Sequence, residues 1–130
     1  MSTSQVYAVL KRLEKAGLVI GKAVHSREAP SRKEYSITSV GEKKLYAWLY
    51  DPNPSPSIHW IRVIFLSKLY IADLLEMAKD EIIENQKRSC DSQHKVFSKE
   101  RSKAQSSFEE LVLDYILNQL DAAQDWLEKL

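Results

Sequence analysis

Cysteine, glycine and proline are all scarce in this chain of 130 residues. The single cysteine, Cys90, excludes an intrachain disulfide, and a reducing, cytoplasmic setting is the simplest reading. Neither glycine nor proline occurs from Ser57 to Leu130, and a stretch that long without a breaker predicts helices. No apolar run approaches the length of a membrane span, and the N-terminus carries no signal-peptide pattern, so neither a membrane nor export is expected. No Gly-rich phosphate loop, nucleophile motif or positioned acid/base pair occurs, so no enzyme activity, catalytic residue or cofactor is expected.

A large excess of charge is also missing, for the net charge is only +1. It hides an asymmetry. Residues 1–50 hold nine Lys and Arg against four Glu, a net of +5, while residues 51–130 hold ten against fourteen acids, a net of −4. The basic N-terminal part suits phosphate contact and the acidic part does not.

Val6, Val9, Leu10 and Leu13 fall at helical spacing, and Gly17 follows them where a left-handed residue ends a helix. Leu18, Val19 and Ile20 begin an extended segment reaching about His25. Pro30 lies in the turn between Arg27 and Arg32, and a returning strand alternates Tyr35 and Ile37 with Glu34 and Ser36. Thr38 reads as an N-cap, without a capping box because Gly41 stands three positions on. A helix follows from about Ser39 to Tyr50, with Val40, Lys44 and Trp48 near one stripe and Leu45 and Leu49 beside it. Residues 51–57, with Pro52, Pro54 and Pro56, read as a linker.

Three helices are expected beyond it, over about 58–72, 73–104 and 106–130. The second has a nearly all-polar stretch, Gln86 to Lys95, that reads as solvent-exposed helix or a break. The third carries a wide apolar stripe, Phe108, Leu111, Val112, Tyr115, Ile116, Leu120, Ala123, Leu127 and Leu130.

A helix feeding into a basic hairpin is the back half of a winged helix-turn-helix. The expected fold is therefore mostly α: an N-terminally truncated winged helix with a two-stranded wing over residues 1–50, the linker 51–57, and an all-helical dimerisation domain over 58–130. The helices of that domain have no second layer to bury their stripes in one small chain, which predicts a homodimer. Phe108, Leu111, Val112, Tyr115, Leu120 and Leu127 are the expected dimerisation residues.

The chain resembles the PadR family of bacterial transcriptional regulators. The resemblance is carried by Val6-Tyr7, Leu10-Lys11-Arg12-Leu13-Glu14, Gly17-Leu18-Val19, Arg32-Lys33-Glu34-Tyr35-Ser36-Ile37-Thr38, Gly41 and Trp48-Leu49. More weakly, it extends to Phe65-Leu66-Ser67-Lys68-Leu69-Tyr70 and Trp126-Leu127. It implies a repressor that binds an inverted-repeat operator in double-stranded DNA as a homodimer. It also implies a small aromatic effector held near Trp48 and Trp60, against which stands the reading that these rings are core. Family members have about forty further residues before this point, supplying the first two helices of the DNA-binding unit. The chain is accordingly expected to bind DNA weakly or not at all.

Ser4, Gln5, Tyr7 and Lys11 lie toward the N-terminal end and on one face of the first helix, where such helices meet base edges and phosphates. Lys22, His25, Arg27, Arg32 and Lys33 lie in the hairpin and suit backbone or minor-groove contact. The alternative for both sets is an ordinary solvated surface. Arg12 and Lys15 are less clearly placed. Cys90 and His94, at i and i+4, are two ligands short of a metal site, and no metal is expected. The alternative function is a protein-interaction module, a truncated paralogue that dimerises through its helical arm without binding DNA.

Overall fold

The computed structural model describes all residues, Met1–Leu130. The chain folds as two compact units, Met1–Trp48 and Leu49–Leu130.

The first unit contains α1 (Thr3–Lys15), β1 (Val19–Val24), β2 (Arg32–Ile37) and most of α2 (Ser39–Leu49). Ser2 and Gln5 form a capping box at the start of α1: the Gln5 N–H donates to the Ser2 hydroxyl at 3.3 Å, and the Ser2 N–H donates to the Gln5 side-chain oxygen at 2.7 Å. At the other end Gly17 takes φ +76°. The Gly17 and Leu18 N–H groups donate to the carbonyls of Glu14 and Leu13, the paired bonds of a Schellman motif. The role expected of Gly17 is the one observed.

β1 and β2 pair antiparallel, from Val19 opposite Ile37 to Val24 opposite Arg32. Thr38 then fastens the unit. Its hydroxyl donates to the Gly17 carbonyl at 2.7 Å and accepts from the Gly41 N–H at 3.1 Å, capping α2 as expected. Gly41 is buried, and a Cβ there would lie 2.1 Å from the Leu18 carbonyl oxygen, so only glycine lets α2 approach this closely. The expected Val40 stripe is not inward: Val40 is exposed, and Leu45 and Trp48 are the half-buried residues. No residue of α1 is buried. Val6 is exposed, while Val9, Leu10 and Leu13 are half-buried.

The second unit contains residues 51–57, then α3 (Ile58–Trp60), a π-helical turn (Ile61–Phe65), α4 (Leu66–Leu74), α5 (Asp80–Ser102) and α6 (Ser107–Leu127). The expected break at Ala72–Asp73 is displaced, because α4 runs on to Leu74 and α5 starts at Asp80. A second Schellman motif makes the stop. The Glu76 and Met77 N–H groups donate to the carbonyls of Asp73 and Ala72, with Glu76 at φ +53° in the position that glycine usually fills.

The polar stretch of α5 is continuous helix, and part of it is buried. Asn85 and Gln86 are each only 2% exposed. The Asn85 amide donates to the carbonyls of Asp51 at 3.2 Å and Tyr50 at 3.5 Å. The Gln86 amide donates to the Ser55 carbonyl at 2.9 Å, and the Ser89 hydroxyl donates to that of Pro54. The proline-rich stretch read as a linker is therefore docked along α5. Proline lacks an N–H and extends the residue before it, so these carbonyls are not absorbed by a helix and take side-chain donors instead.

α5 and α6 run antiparallel. Arg101 bonds Asp114 at 2.7 Å, His94 bonds Asp121 at 2.8 Å, Asp91 accepts from the Gln124 amide at 2.7 Å, and Lys87 approaches Glu128 at 3.8 Å. The core comprises Leu49, Ile61, Phe65, Ala72, Ile82, Cys90, Leu113, Leu120, Ala123 and Leu127, with Phe65 and Trp126 edge to face at 5.8 Å. Lys68 is also buried, which pushes its pKa down, while Asp51 pulls it back up. Two expected dimerisation residues are corrected here. Leu120 is 4% exposed and Leu127 is fully buried, so both belong to the core of a single chain. The stripe on α6 wraps two faces, one packed inward and one outward. No helix is long and apolar enough to cross a membrane.

Candidate nucleic-acid interface

The first unit sets an exposed helix start beside an exposed hairpin. All nine residues expected to face DNA (Ser4, Gln5, Tyr7, Lys11, Lys22, His25, Arg27, Arg32 and Lys33) are exposed. They are not equivalent. The Gln5 side-chain oxygen is held by the Ser2 N–H, which leaves its amide N–H groups as the part able to reach outward. The Ser4 hydroxyl lies 3.2 Å from that of Ser2. Lys11 and Tyr7 stand free on the helix surface.

In the hairpin, Arg32 bonds Glu34 at 2.8 Å and Lys33 bonds Glu14 at 2.9 Å, tying β2 to α1. The Glu14 bond, with the Tyr35 ring 5.3 Å away, lifts the Lys33 pKa above its ordinary value. The His25 imidazole bonds the Ser31 hydroxyl at 2.9 Å across the mouth of the turn. Lys22, opposite Glu34 in register, forms no ion pair, and neither do Lys11, Arg12, Lys15 or Arg27. The surface thus has two kinds of cation. Five are unpaired, while Arg32 and Lys33 are held in exposed pairs that are weak and easily exchanged for a phosphate.

Sequence reasoning missed two participants. Ser2 had a signal, the Ser2-Thr3-Ser4-Gln5 spacing of a capping box. Glu14 had none, because its partner lies 19 residues away across the Gly17 turn.

Elsewhere no group of three His, Cys, Asp or Glu side chains is placed to hold a metal ion. Cys90 is fully buried, which pushes its thiol pKa up, and His94 is engaged by Asp121 and Ser98. Asp80 and Glu81 occupy the first turn of α5, and Glu109 and Glu110 that of α6, where acids suit the helix dipole. Trp48 is half-buried on α2. Trp60 is 47% exposed, edge to face with His59 at 4.9 Å. On the outward face of α6, Phe108, Leu111, Val112 and Tyr115 are all exposed.

Residues 1–47, the span of this helix, hairpin and most of α2, match the family model of the "Transcriptional regulator PadR-like family". The chain is 26% identical over 94 residues to the "Negative transcriptional regulator PadR" of Bacillus subtilis (strain 168), with 69% of this chain and 52% of that protein aligned. It therefore spans about half the length of the curated relative it matches. Two solved structures share 21% identity with it at a TM-score of 0.44, each covering 99% of this chain. They are smu.1604c from Streptococcus mutans UA159, of which 78% is covered, and Bacillus subtilis PadR in complex with operator DNA, of which 77% is covered. The family is described as one of transcriptional regulators. The helix and wing are thus similar to the PadR-like family of transcriptional regulators over residues 1–47, and the chain is similar to the curated regulator over 94 residues.

Proposed function

We propose that the chain is part of a cytoplasmic, DNA-binding transcriptional repressor that grips an inverted-repeat operator as a homodimer. The observation that carries this reading is the set of exposed, unpaired cations on α1 and the hairpin beside the open start of α1, within the stretch that matches the family. An α-helix fits the major groove with its N-terminal residues toward the bases, and a hairpin beside it meets the backbone. The curated relative is a negative regulator by name, which supports repression by occlusion of a promoter. Two-fold symmetry would come from the outward face of α6, where Phe108, Leu111 and Tyr115 are 74%, 65% and 66% exposed. The same face supports a second reading, an interaction module whose partner is a different protein.

Fluorescence anisotropy with a duplex from the protein's own upstream region and a random duplex tests the first reading. A dimer contacting about six phosphates loses roughly a thousandfold in affinity between 50 and 200 mM salt. Lys22→Ala with Arg27→Ala weakens both duplexes alike, and Gln5→Ala weakens the specific one more. A folded protein that binds the two duplexes with equal affinity at low salt would exclude the reading. Sedimentation of Leu111→Asp and Tyr115→Asp separates the two partners. Loss of self-association supports the homodimer, and a wild-type chain that stays monomeric supports the interaction module.

A further inference from the structure

We infer that α5 carries a second contact for duplex DNA, a row of unpaired cations that meets the phosphate backbone without reading its sequence. The choice of duplex DNA rests on the regulator reading above. The net charge of −4 over residues 51–130 conceals the row. Arg88, Lys95, Lys99 and Lys103 are four of the ten Lys and Arg in that span, and all four are exposed. Spaced seven, four and four residues apart, they share one side of the helix.

A different row of α5 is already engaged. Lys87, His94 and Arg101, at intervals of seven, approach Glu128, Asp121 and Asp114 of α6. Arg88, Lys95, Lys99 and Lys103 lie round the helix from that row and form no ion pair. Of the acids between Arg88 and Lys103, Asp91 accepts from Gln124 of α6, and Glu100 lies to the side of the row. Glu81 and Glu84 share its side but stand in the turns before it. A helix C-terminus favours cations in its last turn, which accounts for Lys99 and Lys103 but not for Lys95 or Arg88.

The row is about 22 Å long, at about 1.5 Å per residue, so it suits an occupant whose charges repeat along a line. Duplex DNA carries about one charge per 1.7 Å of its axis. Lysine meets a phosphate as a flexible point charge. The exposed Ser92, between Arg88 and Lys95, has an unbonded hydroxyl that can donate to a phosphate oxygen. A membrane surface fits less well. Interfacial helices bury an apolar face, and Val96 is the one large apolar residue exposed on α5.

The test acetylates the lysines of the full chain at low salt, with and without a random duplex, and reads each site by mass spectrometry. The duplex is expected to slow acetylation of Lys95, Lys99 and Lys103 and to leave Lys129, beyond the end of α6, unprotected. Protection of Lys11 and Lys22 without these three removes this inference and leaves the regulator reading intact. Protection of these three by two duplexes bound with equal affinity keeps it and removes that reading. Combining Lys95→Gln, Lys99→Gln and Lys103→Gln is expected to weaken specific and random duplexes alike, by at least about tenfold at low salt, and to lower the slope of log affinity against log salt by about 0.9 per lysine. The melting temperature is expected to stay unchanged, since all three side chains are exposed. An unchanged slope, or no protection of the three lysines, overturns the proposal. So does equal protection by polyglutamate or by phosphatidylserine vesicles, which assigns the row to an acidic protein or a membrane. Protection that rises with protein concentration alone overturns it too, in favour of a second copy of the chain.

Discussion

The two units are held together by different means. Every buried apolar side chain lies in residues 49–130, whereas in residues 1–48 the one buried residue is Gly41. The first unit is organised by end contacts: a capping box at Ser2, a Schellman turn at Gly17, the double bond of Thr38, and the Lys33–Glu14 pair. Such contacts fix where elements start and stop, but each contributes only about 1 kcal/mol or less. The second unit has the packed interior that offsets chain entropy. Local geometry and global stability are thus specified by different residues, and the surface suited to DNA is in the part with the smaller reserve.

Four measurements break or sharpen that contrast. Phe65→Ala is expected to lower stability to urea by about 3–5 kcal/mol, whereas Leu13→Ala, at a half-buried site on α1, costs about 1 kcal/mol. Equal losses would remove the distinction between the units. Gln86→Leu deprives the Ser55 carbonyl of its donor and is expected to cost about 1–3 kcal/mol. In that variant Cys90, buried with a raised pKa and contacted by Gln86, is expected to react faster with a thiol reagent than in the wild type, where modification waits on opening. Thr38→Val removes the cap of α2 and the bond to Gly17, at about 1 kcal/mol, and native-state hydrogen exchange should confine the loss to residues 1–48. The smallest effect is a gain. Glu76→Gly relieves a left-handed residue and should raise stability by less than about 1 kcal/mol, since glycine also frees the unfolded chain.

The comparison of Gly17 with Glu76 shows what can be read in a sequence. Both residues terminate a helix by the same pair of hydrogen bonds. Gly17 announces its turn because glycine adopts that backbone without strain, so the end of α1 was legible. Glu76 has no such signature, and the break between α4 and α5 was misplaced by several residues. The hairpin, the Thr38 cap and the helical character after residue 57 followed from alternation and from missing breakers. The docking of residues 51–57 did not, because apolar periodicity gives no weight to Asn85, Gln86 and Ser89, and their partners are carbonyls rather than side chains. The double face of α6 escaped for a related reason. A broad stripe does not say which half packs inward, and Leu113, outside the expected stripe, is buried while Leu111 is exposed. On the candidate interface, residue types were legible but pairing was not, since Glu14 reaches Lys33 only after the chain reverses.

The clamp on residues 51–57 bears on how the protein is made. Its donors follow their acceptors by 31 to 35 residues. During synthesis the proline-rich segment therefore leaves the ribosome well before Asn85, Gln86 and Ser89 exist to hold it, while the residues that build α1, the hairpin and α2 have already emerged. For that interval residues 51–57 are an unfastened stretch of chain, and they are held only when α5 is translated and folded.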